Sequence, residues 1–257
     1  MFLSPIILAQ VGIAWLFIRY LLQHDTGPKE PKAGMWLAGV FGVLAVIPAF
    51  LLENWLLPNK FLSHPSALSH PSLLGYSFLI GLIEESAKSL PIAVLLFRKG
   101  YFDEVNDGVI YFATAGMVFG LLENIEYDIV LGPGAGIGRI IFDPYLHAGL
   151  CALFGLMLAR KKVLRTTWLF VALAFLAAIA LHGFYDFGLS VGKTPYYLTS
   201  IFITALINTG VFLLYKFSRK TDARLGLSAA GINFYCPHCG RPNPQRYLYC
   251  PYCGKKT

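Results

Sequence analysis

Charge is what this sequence has least of. Only 14% of its 257 residues are Asp, Glu, Lys or Arg, where soluble domains carry about 25%. With 56% hydrophobic residues and a mean hydropathy of +0.59, that deficit excludes an ordinary soluble core and points to a surface facing lipid. Cysteine is almost missing before residue 236. Cys151 stands there by itself, inside an apolar run, which excludes a secreted disulfide framework. The first residues lack the basic stretch of a secretory signal. Their apolar run reaches Leu22, about one membrane span, so it reads as a retained helix. There is no fixed-period repeat, no nucleophile elbow and no phosphate-binding loop. The net charge of +7 does not signal nucleic acid either, because most Lys and Arg flank apolar runs, where they anchor and orient helices.

What is present is a series of apolar runs. A spanning helix needs about 20 mostly apolar residues, and seven runs qualify or nearly so: residues 3–22, 34–52, 73–97, 108–122, 140–159, 167–182 with a polar extension to 189, and 196–217. The fold class is therefore all-α, a polytopic bundle of seven or eight spans. The fourth run is short, and an eighth, re-entrant segment would also fit. Residues 58–72 and 132–138 read as irregular. With the N-terminus outside, the inside segments hold Arg19, Lys29, Lys32, Arg98, Lys99, Arg160, Lys161, Lys162, Arg165, Lys216, Arg219, Lys220 and Arg224. The outside loops hold only Lys60, Arg139 and Lys193. The positive-inside rule then places the C-terminus in the cytoplasm.

That reducing compartment suits the four remaining cysteines. Cys236-Pro-His-Cys239 and Cys250-Pro-Tyr-Cys253, each followed by a glycine, can supply four thiolates to a tetrahedral structural Zn²⁺. Gly240 and Gly254 permit the tight turns around the metal. Such a closed site folds its segment rather than doing chemistry. His238 between the ligands reads as a bystander. The expected division is a helical membrane domain over 1–220, a linker over 221–233 and a zinc ribbon over 234–257.

Ionisable groups inside spans are costly, by about 2.5–3.5 kcal/mol each on insertion scales, and usually mark sites or pathways. Four clusters stand out. Glu84-Glu85-Ser-Ala-Lys88 places Glu84 and Lys88 on one helix face, with Glu85 offset by about 100° and Pro91 beyond as a kink point. Glu123-Asn124 follows the fourth run and leads into Glu126 and Asp128, so it also reads as a helix end at the interface. His147 comes one turn after Pro144. His182 and Asp186, four apart, share a face. Each alone could be a packing or ion-pair feature. Together they place carboxylates and imidazoles on four apolar spans, where they must face the interior or water. These are the parts that activate water, polarise a carbonyl or bind a metal. Nothing independent marks Ser86 as a nucleophile. The chemistry is hydrolysis by activated water, or passage of protons or ions.

At these residues the sequence resembles the PrsW family of intramembrane proteases, distant kin of the CAAX prenyl endopeptidases. The motifs are Glu84-Glu85-x-x-Lys88, Phe119-x-x-x-Glu123-Asn124, His147 and His182-x-x-x-Asp186, in the family's order. The resemblance implies an intramembrane endopeptidase of a prokaryotic cell membrane that cuts membrane-anchored protein substrates in regulated proteolysis. Its catalytic residues would be Glu84, Glu85, Glu123, His147, His182 and Asp186, supported by Lys88 and Asn124. One of Glu84 and Glu85 would be the base. His147 and His182 would either hold a catalytic divalent metal, zinc first among candidates, or polarise the scissile carbonyl. The ribbon lies beyond the shared core, and either recruiting a protein partner or sensing metal would suit it; no nucleic acid is expected. Two other readings use the same residues: a proton-coupled or metal-ion transporter, and a non-catalytic scaffold whose ribbon binds a partner.

Overall fold

The computed structural model describes residues 5–63, 65–131, 142–227, 238–239 and 252–255. Among them are seven long helices and no strand. The order is α1 (Pro5–Gln23), α2 (Lys32–Leu56), short α3 (Asn59–Ser63), a 3-10 turn at Pro65–Ala67, α4 (His70–Phe97), α5 (Val105–Leu131), α6 (Asp143–Val163), α7 (Trp168–Val191) and α8 (Thr194–Leu225). Each predicted span has its helix. Five of these (α1, α2, α5, α7 and α8) are long and apolar enough to cross a membrane. Of the other two, α4 carries Glu84, Glu85 and Lys88 near its middle, and α6 ends in Arg160, Lys161 and Lys162.

The arrangement follows from which faces lipid can solvate. Helix α2 leaves Trp36, Ile47, Leu51 and Trp55 uncovered, and α8 leaves Phe202 and Leu213. That would be prohibitive in water and costs nothing in a bilayer. Helix α5 runs through the interior instead, with Val109, Ile110, Phe112, Ala113 and Met117 all fully buried.

Helix α5 departs from the expected span. It continues as one helix to Leu131, so Glu123 and Asn124 sit inside a helix rather than at its end. Of the polar residues that lower its hydropathy after Leu122, Asn124 and Asp128 face protein. Asn124 is fully buried, and Asp128 accepts a 3.0 Å hydrogen bond from Gln10 of α1. The stretch read as irregular after Pro58 is likewise partly helical, in α3 and the 3-10 turn. Pro91 lies within α4, which continues past it to Phe97.

Glycine sets the two approaches that matter for the site. A Cβ on Gly116 would strike the His147 carbonyl, and one on Gly120 would lie 2.6 Å from the His147 ring, so these glycines let α6 press against α5 beside His147. On α4, a Cβ at Gly81 would lie 2.8 Å from the Ile179 carbonyl. This close crossing brings α7 and His182 up to α4 one turn before Glu85. At the other end of the bundle, Asp222 of α8 accepts from the Val105 and Asn106 N–H groups, at 2.8 and 2.7 Å, satisfying otherwise orphaned donors at the start of α5.

Of the ribbon, His238 and Cys239 form a turn, as do Tyr252 and Cys253, and Gly254 has φ of 71°, the left-handed conformation glycine allows. Cys236 and Cys250 lie outside the described residues, as do Gly240 and the segment 132–141.

Candidate active site

Seven of the eight expected site residues meet in one cluster built by α4, α5, α6 and α7. Lys88 is its hub. Its ammonium, fully buried, lies 2.8 Å from Glu85 Oε1, 3.1 Å from Glu84 Oε2 and 2.7 Å from His147 Nδ1. An ammonium has three donors and no acceptor, so each N–H has one partner. The Phe119 ring covers the same ammonium, its centroid 4.4 Å away, and adds a cation–π contact. Pairing is what makes a buried charge tolerable, and here two carboxylates and an imidazole share that task.

These contacts assign the imidazole protons. His147 Nδ1 accepts from Lys88, so its proton is on Nε2, which faces Glu123 Oε2 at 2.8 Å and Asp143 Oδ2 at 3.7 Å. His182 Nδ1 lies 2.8 Å from Glu85 Oε1. An ionised carboxylate only accepts, so that nitrogen carries a proton, and in the neutral ring Nε2 presents a lone pair. That lone pair looks at Glu84 Oε2, 3.6 Å away, and Asp186 Oδ2, 3.4 Å away. The two imidazole rings lie 5.2 Å apart.

The two neighbouring glutamates therefore differ in kind. Glu85 is 0% exposed, enclosed between Lys88 and His182. Glu84 lines an open cleft of about 570 Å³ together with Glu123 and Asp186. Walls of the cleft come from Val46, Ala49 and Phe50 of α2, Ile80 of α4, Phe119 and Tyr127 of α5, and Leu189 of α7. It is mostly apolar with carboxylates at its base, the usual composition of a pocket that both binds and reacts. Asn124 is fully buried one residue beyond Glu123 and does not line the cleft.

With the His182 ring neutral, three acceptors converge at His182 Nε2, Glu84 Oε2 and Asp186 Oδ2, and Asp186 Oδ2 has no hydrogen-bond donor. Lone pairs that face one another need a proton or a cation between them. Donor atoms of Glu84, His147 and His182 all lie within 4.8 Å of one another. A carboxylate with two imidazoles is a set that binds catalytic zinc, so the residues present fit a divalent ion. His147 Nδ1, already on the Lys88 ammonium, serves only one cation at a time.

Two participants were not singled out from the sequence. Asp143 at the start of α6 is fully buried, accepts 2.8 Å from the Tyr185 hydroxyl and backs His147. Its place four residues before His147 was the available signal. Glu53 of α2 also lines the cleft; nothing in its own helix marks it except being a carboxyl near the end of an apolar run.

Over residues 30–214 the chain matches a family described as PrsW family intramembrane metalloprotease, and over residues 235–257 a zinc-ribbon domain. The first match starts just before α2, ends inside α8 and includes every residue of the cluster. Among curated proteins, the chain is similar to Protease PrsW of Geobacillus kaustophilus, 27% identical over 196 residues that cover 76% of this chain and 83% of that protein. It is 26% identical to Protease PrsW of Shouchella clausii, covering 84% of this chain and 98% of that one. With Protease PrsW of Bacillus subtilis it shares 28% identity, covering 68% and 78%. No solved structure matches the chain. These likenesses support proteolysis within a membrane, and not the transporter or scaffold readings.

Proposed function

This chain belongs to the PrsW family of intramembrane metalloproteases, and we propose that it hydrolyses peptide bonds of membrane-anchored proteins with Glu84 as the general base. One observation carries the choice: of the adjacent glutamates, Glu84 opens on the cleft and Glu85 is sealed between Lys88 and His182. A base must reach the water it deprotonates.

In this mechanism Glu84 takes a proton from a water as its oxygen bonds to the scissile carbonyl carbon, and the carbonyl π pair moves to oxygen. His147 Nε2–H, held on Glu123, is the donor for that oxyanion. Collapse breaks the C–N bond, and Glu84 returns its proton to the leaving nitrogen. Glu85 fixes the tautomer of His182 through Nδ1 and so aims the Nε2 lone pair into the site. Lys88 holds both carboxylates and His147 in place. Asn124 packs behind Glu123.

A divalent ion, zinc by the chemistry of the donors, would be held by Glu84, His147 and His182 with Asp186 completing its shell, taking the place of Lys88 at His147 Nδ1 and leaving the second Glu84 oxygen to act as the base. Bound there it would supply Lewis acidity and lower the pKa of a water. Cys236, Cys239, Cys250 and Cys253 would hold a second, structural zinc in a ribbon over 234–257, joined by residues 221–233 to the membrane domain over 1–220. The charge pattern places that ribbon in the cytoplasm with the N-terminus outside, where the ribbon is available to a protein partner.

The test is N-terminal proteomics on membranes of cells expressing wild type or Glu84→Gln at equal levels. New N-termini near the spans of membrane proteins, present only with wild type, are expected. Identical N-termini in both would remove the base assignment, and their absence from both under several stresses would remove the endopeptidase reading.

A further inference from the structure

Two carboxyls in the cleft, Glu53 and Glu126, belong to none of the interactions just described. Glu53 comes from α2, the outer wall, rather than from the four helices that build the cluster. Its Oε1 is buried without a hydrogen-bond partner. The charged groups that bear on it are Glu84, Glu123 and Asp186, with Lys88 the single cation. Lys88 is already saturated by Glu84, Glu85 and His147. Around it the cleft is acidic throughout: Glu53, Glu84, Glu123, Glu126 and Asp186 line it, and no Lys, Arg or His is among the described lining residues.

Depth in the membrane matters as much as sign. Glu53 lies one turn before the end of α2. Trp55, two residues on, is 79% exposed, and tryptophan concentrates at the headgroup level. Phe61 of α3 and Pro65 of the 3-10 turn roof this end of the cleft. A membrane-anchored polypeptide entering here would bring the residues that flank its own span, and a Lys or Arg among them can lay its apolar stem along the cleft wall and carry its charge toward the interface. An unpartnered carboxyl in an apolar, partly closed cleft repays its burial only when a cation or donor arrives with the ligand.

We propose that Glu53 is a specificity residue that pairs with a Lys or Arg of the substrate beside the scissile bond. The inference rests on the protease reading above and adds the substrate chemistry to it. Glu53 makes no bond to the reacting atoms in this scheme; it selects and positions.

The experiment takes one cleaved substrate, reconstituted in vesicles with the full-length protease, and places Lys, Gln or Glu at each residue flanking the cut. At one flanking position, wild type should cleave the Lys substrate about tenfold more efficiently in kcat/KM than the Gln substrate, the scale of a charge-assisted contact. The ratio should fall to near one in Glu53→Gln and favour the Glu substrate in Glu53→Lys. Equal rates by wild type for all three residues at every position overturn the inference. So does a Lys preference that survives in Glu53→Gln, including the case where that variant slows every substrate alike, which would mark Glu53 as structural. Failure of wild type to cleave anything would instead strike the protease reading on which the inference rests.

Discussion

Glu84 and Glu85 are chemically identical and adjacent, yet their surroundings give them separate tasks. Removing charge from Glu84 leaves Lys88 with Glu85, so the fold should persist while the water loses its base. Glu84→Gln is expected to lower the cleavage rate by about 10²–10⁴-fold, the range for general-base catalysis, with an unchanged melting temperature in detergent. Glu85→Gln removes a fully buried carboxylate from both Lys88 and His182. Breaking such a pair typically costs about 3–5 kcal/mol, so that variant should lose both activity and several degrees of thermal stability. Equal melting temperatures for the two variants would refute the division of roles. Much of this chemistry was legible beforehand, because Glu84–Lys88 and His182–Asp186 follow from helical spacing within one run. The contacts of Lys88 with His147 and of Glu85 with His182 were not, since they depend on how separate helices pack. Asp143 and Glu53 were missed for the same reason: each gains its meaning from residues on other helices.

Helix α5 shows where a hydropathy reading ends and packing takes over. Apolar content stops at Leu122, but the helix continues because Asn124 and Asp128 find protein rather than lipid. A window over one run counts polar residues without knowing which way they face. The existence of all seven long helices was readable from run length, and the termination of the fourth was not. The glycines of α5 were equally silent in sequence, although they decide how near α6 comes. At Gly120 a Cβ would lie 2.6 Å from His147, so Gly120→Leu must push the ring off Lys88 and Glu123. Displacing a reacting group by about 1 Å can cost about 10²-fold, and that loss in cleavage rate is expected with membrane insertion intact. Gly39→Ala on α2 meets nothing within 4 Å and serves as the control, with a slight gain in stability from helix propensity. Normal cleavage by Gly120→Leu would show that α5 and α6 do not hold His147 as described.

At the scale of the whole molecule, the bundle gathers carboxylates at both ends, and the cleft of Glu84 lies toward one of them. The other end joins Asp25 after α1, Glu30 before α2, Asp103 and Glu104 in the α4–α5 loop, and Asp107 and Asp222 at the facing ends of α5 and α8. Several have partners: Asp222 caps α5, Asp25 accepts 2.9 Å from Asn106, and Glu30 accepts from the Tyr111 hydroxyl and shares a hydrogen bond with Asp107. Glu104 is 3% exposed, and its Oε1 has no donor. Burial first, then the charges of Asp222, Asp25, Asp103 and Glu30, push its carboxyl up to about 10. Burial is also the leading reason Glu30 sits at about 7. Both groups bind their proton more tightly folded than unfolded, where a glutamate titrates near 4.3. Their protonation therefore stabilises the fold in acid, and that contribution is lost as pH rises, through about 7 for Glu30 and toward 10 for Glu104. The melting temperature of the purified protein in detergent should fall between pH 5.5 and pH 8.5. Glu104→Gln, which keeps a neutral side chain of the same size, should make that decline shallower and raise the midpoint most at pH 8.5. A wild-type midpoint that climbs over this range, or a Glu104→Gln profile parallel to wild type, would mean that the Glu104 carboxyl is not held protonated where α5 and α8 meet.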